Sequence, residues 1–425
     1  MSAPTAPPTP ATPADPQNRP AVRRRPGRLS PQLLILLALG AFLVLSAVRA
    51  FTGGNDLTSS GTIAAGLSAA VPIGLAGLGG LWSERAGVVN IGLEGMMILG
   101  TWGCAYLGWQ HGAWAGLAFG TLLGAAGGLV HAIATVTFGV DHIISGVAIN
   151  IIAPGLALYL TKVTFVHYPG GGQKQSPPIS DAKSITLPFS HWLHTVEDKH
   201  WFAVSDLAGV LGGLVTRLSL VTVLAALVVL ASAWILWRTA FGLRLRSCGE
   251  APYAAESLGV NVYKYKYIAV IVSGALAGFG GAALAIAAHQ FRDGQTGGRG
   301  FIGLAALIFG NWRPGALAAG AGLFGYTDAI QLRSSSAVHP LLLLVAIALV
   351  LVAIWQWRTG QRAIAVVAVV IAALAVLWYV DTDRVPDELV GTTPYVVTIL
   401  VLALASQRLR MPKADGRVYR KGEET

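Results

Sequence analysis

GFIGLAALIFGNWRPGALAAGAGLFGYTDAIQ, residues Gly300 to Gln331, is apolar over most of its length, but NWRPG (Asn311–Gly315) sets an arginine, a proline and a glycine in its middle. Two readings compete. As one continuous helix the stretch crosses a membrane once and sends everything after it to the opposite side. As two short helices around the NWRPG tip it dips in and returns, and the chain stays on the side it came from. Charge decides between them, because lysine and arginine concentrate on the cytoplasmic side of membrane proteins. With the hairpin, 19 of the 30 Lys and Arg residues fall inside: in the N-terminal tail, at Arg85, from Arg238 to Lys266, at Arg358 and Arg362, and in the C-terminal tail. With a single span the inside total falls to 13. The hairpin is therefore adopted; it places the acidic DTDRVPDE (Asp381–Glu388) outside and both termini in the cytoplasm. A glycine-rich turn at membrane depth survives only where protein or water covers it, so the hairpin is expected beside a cavity.

The rest of the chain is consistent with a membrane protein. Apolar residues make up 54% of it and charged residues 12%, about half the roughly 25% of a soluble domain. Stretches such as LSLVTVLAALVVLASAWILW (Leu218–Trp237) carry no charge, and about 20 such residues at 1.5 Å rise span a hydrocarbon core of about 30 Å. Barrel strands would alternate apolar and polar residues instead. Spans are expected near 33–51, 60–81, 87–108, 113–138, 141–162, 217–238, 267–290, 339–357, 362–380 and 394–407. The fold class is thus an all-α membrane protein of about ten transmembrane helices plus the helical hairpin. Its 52 glycines suit helices that pack closely in lipid.

The membrane domain is expected over 32–410, with an extracytoplasmic insertion at 163–216, a cytoplasmic loop at 239–266 and a cytoplasmic tail at 411–425. Residues 1–31 carry nine prolines and the run RRRPGR, and are expected to be a disordered cytoplasmic tail. A secretory signal would be shorter and would place a small residue where Arg49 stands, so the first apolar run is read as a retained span.

Several functions are excluded. The net charge of +10 is explained by basic residues beside the spans, without nucleic acid as a partner. Cys104 in a span and Cys248 in a loop give neither a disulfide framework nor a metal site. His191, His194 and His200 lack acids or cysteines at ligand spacing, so no metal is expected. There is no H-E-x-x-H, and VSGAL and SSSAV lack the surroundings of a nucleophile elbow, so no catalytic residue or cofactor is expected. The absence of G-x-x-x-x-G-K-[ST] means that this chain supplies no P-loop ATPase site.

Within the inner loop, APYAAESLG (Ala251–Gly259) reads as a short helix started by Pro252 and closed by Gly259. Here the sequence resembles the permease subunits of ATP-binding-cassette importers, in the branch that takes up ribose, branched-chain amino acids and nucleosides. Ala254, Ala255 and Gly259 match the coupling-loop signature of glutamate, two alanines, three residues and glycine, with Tyr253 where many importers have the glutamate. The nucleoside-type branch is resembled in ERAGVVNIGLEGMM (Glu84–Met97), GLRLRSCGEAPYAAESLGVNV (Gly242–Val262), VSGALAGFGGA (Val272–Ala282), GRGFIGLAALIFGNWRPGALAAGAGLFG (Gly298–Gly325) and PYVVTILVL (Pro394–Leu402), in that order. The resemblance covers most of 60–407, leaving out 163–216 and the extra spans at 339–380. It implies the importer permease fold and P-loop ATPase subunits docking around Gly249, Glu250, Ala254, Ala255 and Gly259. It further implies an extracytoplasmic substrate-binding lipoprotein and a second permease chain, related but different, ahead of a homodimer.

Candidate pathway residues are the polar groups that lie inside or at the ends of spans. In SERAGVVNIGLEGMMILG (Ser83–Gly100), Glu84 and Arg85 are expected at a hydrated cytoplasmic turn. Asn90 and Glu94, four apart, are expected on one helix face inside the lipid. Glu94 either borders the pathway or accepts hydrogen bonds from a neighbouring helix. Asn150, Gln290, Asn311 and Trp312 complete the set, since a nucleoside offers a base to stack and hydroxyls to hydrogen-bond. A ribose or simple-sugar permease is the alternative. An ion-coupled secondary transporter is disfavoured, because the two halves show no clear repeat and intramembrane acids are few.

Overall fold

The structure, a computed structural model, describes residues 31–333, 335–393, 395–396 and 409–422. The tail 1–30 and nearly all of the expected last span lie outside the described residues. Seventeen helices are described: α1 (Pro31–Thr52), α2 (Ser60–Arg85), α3 (Leu93–His111), α4 (Ala113–Ala132), α5 (His142–Phe165), α6 (Ser190–Glu197), α7 (Val204–Val215), α8 (Leu220–Arg238), α9 (Ala240–Glu250), α10 (Pro252–Ser257), α11 (Val262–Ala287), α12 (Arg299–Phe309), α13 (Pro314–Gln331), α14 (Ser335–Val338), α15 (Leu341–Arg358), α16 (Arg362–Asp381) and α17 (Asp387–Val390). The chain divides into two units, Met1–Leu43 and Val44–Thr425. The first holds the N-terminal part of α1, and the second holds every other described element. Among the described residues, seven helices are long and apolar enough to cross a membrane: α2, α4 with its π-helical extension to Thr137, α5, α8, α11, α15 and α16.

Side-chain caps fix where several of these helices begin. Ser59, Asp141, Thr239 and Asn261 each accept a hydrogen bond from a backbone N–H of the first turn of α2, α5, α9 and α11, satisfying donors that the helix itself leaves unpaired. The larger unit is built on α2 and α11, the most buried of the spans, with α3 and α4 packed on α11 and the α12–α13 pair on α2. Glycine makes these contacts possible. A Cβ at Gly278 of α11 would stand 2.7 Å from Gly124 Cα and 2.6 Å from Gly120 O of α4. Gly278→Leu is therefore expected to prevent the α4–α11 contact altogether, read as loss of folded protein after detergent extraction, whereas Gly155→Leu on the open side of α5, where nothing lies within 4 Å, leaves the yield unchanged.

Two segments depart from uniform spans. Residues 300–331 form the hairpin: α12 is 11 residues long, about 16 Å at 1.5 Å per residue and too short to cross. The tip holds Asn311 and Trp312 at φ 48° and 55°, and Pro314 opens α13 where its missing N–H costs nothing. The second departure corrects the expected span 87–108. Its helix α3 starts only at Leu93, after a non-helical run over 86–92. Gly87 takes φ 82°, and the run climbs back along α2 until Leu93 lies against Gly79 and Gly80, about 9 Å inside the Arg85 end at 1.5 Å per residue. Asn90 and Glu94 therefore do not share a helix face.

The 163–216 insertion forms α6, α7 and a two-stranded antiparallel pairing of β1 (Ser184–Ile185) with β2 (Leu218–Ser219). Arg49 near the end of α1 donates to both oxygens of the buried Asp206 of α7, at 2.9 and 2.8 Å. Helices α15 and α16 pack on each other through Ala346, Leu349, Ala353, Ala365, Ala368 and Ala372. Residues 411–422 are seated against the body of the protein: Ala414, Asp415 and Tyr419 are buried, because apolar and aromatic groups spaced among the charges find a groove beside α9 and α10.

Candidate functional site

An irregular run such as 86–92 at membrane depth is stable only if its backbone polar groups find partners, and the polar residues of neighbouring spans supply them. Lys266 Nζ donates to Gly87 O at 3.1 Å. Val89 N–H donates to His142 Nδ1 at 3.3 Å, and Val89 O, which can only accept, takes a bond from His131 Nε2 at 3.0 Å. Asn150 reaches across from α5, donating to Ile91 O at 2.9 Å and accepting from Gly95 N–H at 2.8 Å. Asn90 accepts from Gly92 N–H at 3.0 Å and donates to Ser273 Oγ of α11 at 2.8 Å. The break thus leaves the N-terminus of α3 pointing into the protein interior.

A second helix N-terminus meets it there. Glu94 in the first turn of α3 accepts from Gly298 N–H at 3.0 Å and from Gly300 N–H at 2.7 Å. Its carboxylate caps α12 from another helix and offsets the positive end of that helix dipole. Gly300 is required for the approach, since a Cβ there would stand 2.6 Å from Glu94 Cα. Beside this junction lies a cavity of about 290 Å³ lined by Glu94, Thr101, Asn150, Phe301 and the loop from Phe291 to Gly298. Ligand pockets start at about 300 Å³. Across Gly297 a smaller polar cavity, about 160 Å³, is lined by Arg299, Asp328, Gln331 and Tyr395. Arg299 donates to Asp328 Oδ2 at 2.5 Å and Tyr395 to Gly297 O at 3.0 Å. Among the described residues Arg299 Nε and Gln331 Oε1 are buried without a partner.

The 163–216 insertion holds the cavity loop in place. Gln175 pairs with Arg292, Ser176 N–H donates to Phe291 O at 3.0 Å, Asp293 N–H to Lys174 O at 2.8 Å and Ile179 N–H to His289 O at 2.7 Å. His289, Asp181, Lys183 and Arg217 line a further cavity of about 420 Å³. The loop 288–298 therefore contributes to both cavities.

The expected hydrated turn at Glu84 and Arg85 is instead a covered polar cluster. Glu84 is 4% exposed and accepts from Trp312 Nε1 at 2.5 Å; Arg85 donates to Trp312 O at 2.6 Å. Arg85 also lies over the Trp237 ring, 5.4 Å from its centroid, and 3.9 Å from the Glu250 carboxylate. The hairpin tip and residues 409–422 fold over the position that hydropathy leaves to water. Asp415 from that stretch sits beside Glu84. Burial, then the neighbouring Glu84 charge, raise the Asp415 carboxyl above the usual carboxylate range.

The sequence-selected pathway residues therefore separate into three places. Glu94 and Asn150 face the mid-depth cavity, with Asn90 behind them in the brace. Gln290 sits just past the C-terminus of α11, beside Arg292, from which its amide oxygen would accept once the amide is turned over. Asn311 and Trp312 form the tip at the inner end, where Asn311 Oδ1 accepts from Arg410 N–H at 2.6 Å. Helix α10 begins with Pro252 and ends before Gly259, whose φ of 80° needs glycine. Ala255 faces inward in a cluster with Cys248, Val262 and Tyr419, while Leu258 is 85% exposed beyond it. Gly249 packs so closely on the Arg85 carbonyl that no Cβ would fit between them, and Glu250 closes α9. His131, His142, Lys266 and Arg299 were not singled out. The available signal for His131 was a lone polar residue within an apolar run and for Arg299 the glycine-rich RDGQTGGRG (Arg292–Gly300) ahead of an apolar helix, whereas His142, after Asp141, and Lys266, after Lys264, read as ordinary polar residues at span ends.

Helices broken at mid-depth, with their N-termini turned toward a cavity, are an architecture found in membrane transport proteins. Residues 62–354 match the family described as branched-chain amino acid transport system, permease component, and the chain belongs to that family. It is similar to the guanosine ABC transporter permease protein NupQ of Bacillus subtilis, 34% identical over 83% of this chain and 94% of NupQ. It is similar to the nucleoside ABC transporter permease protein NupC of Lactococcus lactis, 32% identical over the same shares. A Haloferax volcanii protein provisionally named as the glucose ABC transporter permease TsgC13 is 33% identical over 84% of this chain and 96% of its own. Bacillus subtilis also has a more distant match, the guanosine ABC transporter permease protein NupP, at 25% over 70% of this chain. No solved structure matches the chain. Coverage of 83% is more than remains once 1–31, 163–216 and 339–380 are set aside, so these relatives share at least part of the segments that the resemblance left out.

Proposed function

We propose that the chain is the permease subunit of an ATP-driven importer and forms half of a pathway for nucleosides. The observation that carries this reading is the pair of helix N-termini at Glu94, beside a cavity sized for a small polar solute, in a chain that aligns with nearly the full length of NupQ and NupC. Asn150 and Thr101 offer hydrogen bonds to ribose hydroxyls, Phe301 offers a face for a base, and Arg299 Nε with Gln331 Oε1 supply a spare donor and acceptor across Gly297. Separate P-loop ATPase subunits dock on α9 and α10 around Glu250, Ala254, Ala255 and Gly259. An extracytoplasmic lipoprotein delivers the solute. The second permease is a different, related chain, as supported by the coexistence of NupQ and NupP in one organism. Both termini lie in the cytoplasm. Alternating access follows from ATP-driven displacement of α10, which rocks the hairpin and α2.

The similarity to TsgC13 favours a second reading, a hexose as cargo. Proteoliposomes holding the chain with its ATPase, second permease and binding protein separate the two. ATP-dependent uptake of radiolabelled guanosine, competed by other nucleosides and not by a hundredfold excess of glucose, is the expected result. Competition by glucose alone would assign the sugar, and uptake without ATP would reject the importer reading.

A further inference from the structure

Residues 409–422 run past the hairpin tip, the ends of α2 and α9, the 86–92 run and α10. At one end Arg410 N–H donates to Asn311 Oδ1 of the hairpin tip at 2.6 Å. Next, Lys413 N–H reaches Glu250 Oε2 at 3.4 Å and Ala414 N–H donates to Gly249 O at 2.9 Å, both at the end of α9. Asp415 is buried beside Glu84 at the end of α2, and Gly416 turns with φ 75° over Val89 of the 86–92 run. At the far end Tyr419 Oη donates to Glu256 Oε2 of α10 at 2.6 Å, and its ring packs on Tyr253 and Tyr263, with centroids 5.3 Å away in each case.

Each contact is modest alone, since a hydrogen bond contributes about 0.5–1.5 kcal/mol net. Their distribution matters more. Helix α10 packs on α9 and α11, whereas the tip packs through α12 and α13 on α2. One continuous peptide bonded to both α10 and the tip makes the two move as a unit. Tyr419 is 6% exposed and Asp415 8%, so the peptide is seated in the body, whereas Arg410, Lys413 and Arg417 face the aqueous side.

We propose that residues 409–422 are a positioning strap for transport, tying α10 to the hairpin tip so that displacement of α10 pulls Trp312 away from Glu84. The proposal rests on the reading of α10 as the ATPase-docking helix. The strap transmits the stroke and touches no solute.

The test uses the full transporter in proteoliposomes and compares Tyr419→Ala, Asn311→Ala and the double variant. Tyr419→Ala frees the α10 end of the strap and Asn311→Ala the tip end. Each is expected to co-purify with the ATPase and hydrolyse ATP within about twofold of the parent while solute moved per ATP falls at least fivefold. The double variant is expected to be no worse than the poorer single one, because a strap cut at one end transmits nothing; independent structural defects would multiply. Tyr419→Phe, which keeps the ring, recovers part of the ratio. An unchanged ratio in both single variants, or multiplying effects, would overturn the strap. If Tyr419→Ala yields no complex, the Asn311→Ala ratio decides alone. A parent complex whose ATP-driven uptake survives Ala254→Arg and Gly259→Val would refute the docking reading itself, and the strap with it.

Discussion

Glu94→Gln is expected to reduce ATP-driven uptake to below about a tenth of the parent rate and to lower the unfolding temperature of the purified complex. The carboxylate accepts from two N–H groups, the part-buried one of Gly298 and the buried one of Gly300. A glutamine side chain offers one oxygen, so its NH₂ must face the second N–H donor. Leaving a buried donor unpaired costs about 1–3 kcal/mol, and losing the negative charge at the α12 N-terminus adds about 0.3–1 kcal/mol. A loss near 2 kcal/mol is roughly a 30-fold change in the population of the competent geometry, at 1.4 kcal/mol per tenfold. Gly300→Ala reaches the same junction from the other side, because its Cβ would stand 2.7 Å from Glu94 N and 2.8 Å from Oε2, and is expected to share the defect. Normal uptake of every nucleoside tested by a normally assembled Glu94→Gln complex would remove Glu94 from the pathway.

The two roles open to Glu94 are compatible in the folded protein. It accepts hydrogen bonds from a neighbouring helix, and the same group borders the cavity. The hairpin was legible in the sequence because NWRPG concentrates residues that a span interior rejects, and because charge counts respond to every later crossing. The 86–92 break was not legible. AGVVNIGL is as apolar as a span, and only the side-chain partners of its backbone, distant at Lys266, His131, His142 and Asn150, make the irregular path stable. Asn90 and Asn150 stand out as polar groups in apolar runs, a criterion that also fits His131 but does not separate bracing from solute contact. The 409–422 strap was hidden for the opposite reason. Its bases mark it as a tail, and the burial of Asp415 and Tyr419 depends on a groove built by residues more than a hundred positions earlier. The expected final span, 394–407, lies outside the described residues, apart from Tyr395 and Val396.

Arg85→Ala is expected to abolish uptake and most of the assembled complex. Three structures converge on this guanidinium: the Trp312 carbonyl at the hairpin tip, the Trp237 ring at the end of α8, and the Glu250 carboxylate at the end of α9. Next to it Glu84 and Asp415 bring two carboxyl groups together under cover. Deleting one member of a buried charged cluster costs about 3–5 kcal/mol, mostly because its partners are left uncompensated. The Glu250 contact contributes little of this, since that carboxylate is half exposed and 3.9 Å away. The dominant loss is the bond to the Trp312 carbonyl, which lies in a left-handed turn at φ 55° with no regular helix bond to replace it. Arg85→Lys keeps the charge but cannot present the planar fork to a carbonyl and stack on an indole at once, so intermediate stability and partial uptake are expected. Thermal unfolding of the detergent-purified complex and uptake in proteoliposomes measure both effects. Arg85→Ala protein that assembles and transports like the parent would show that the hairpin tip needs no anchor at the inner face.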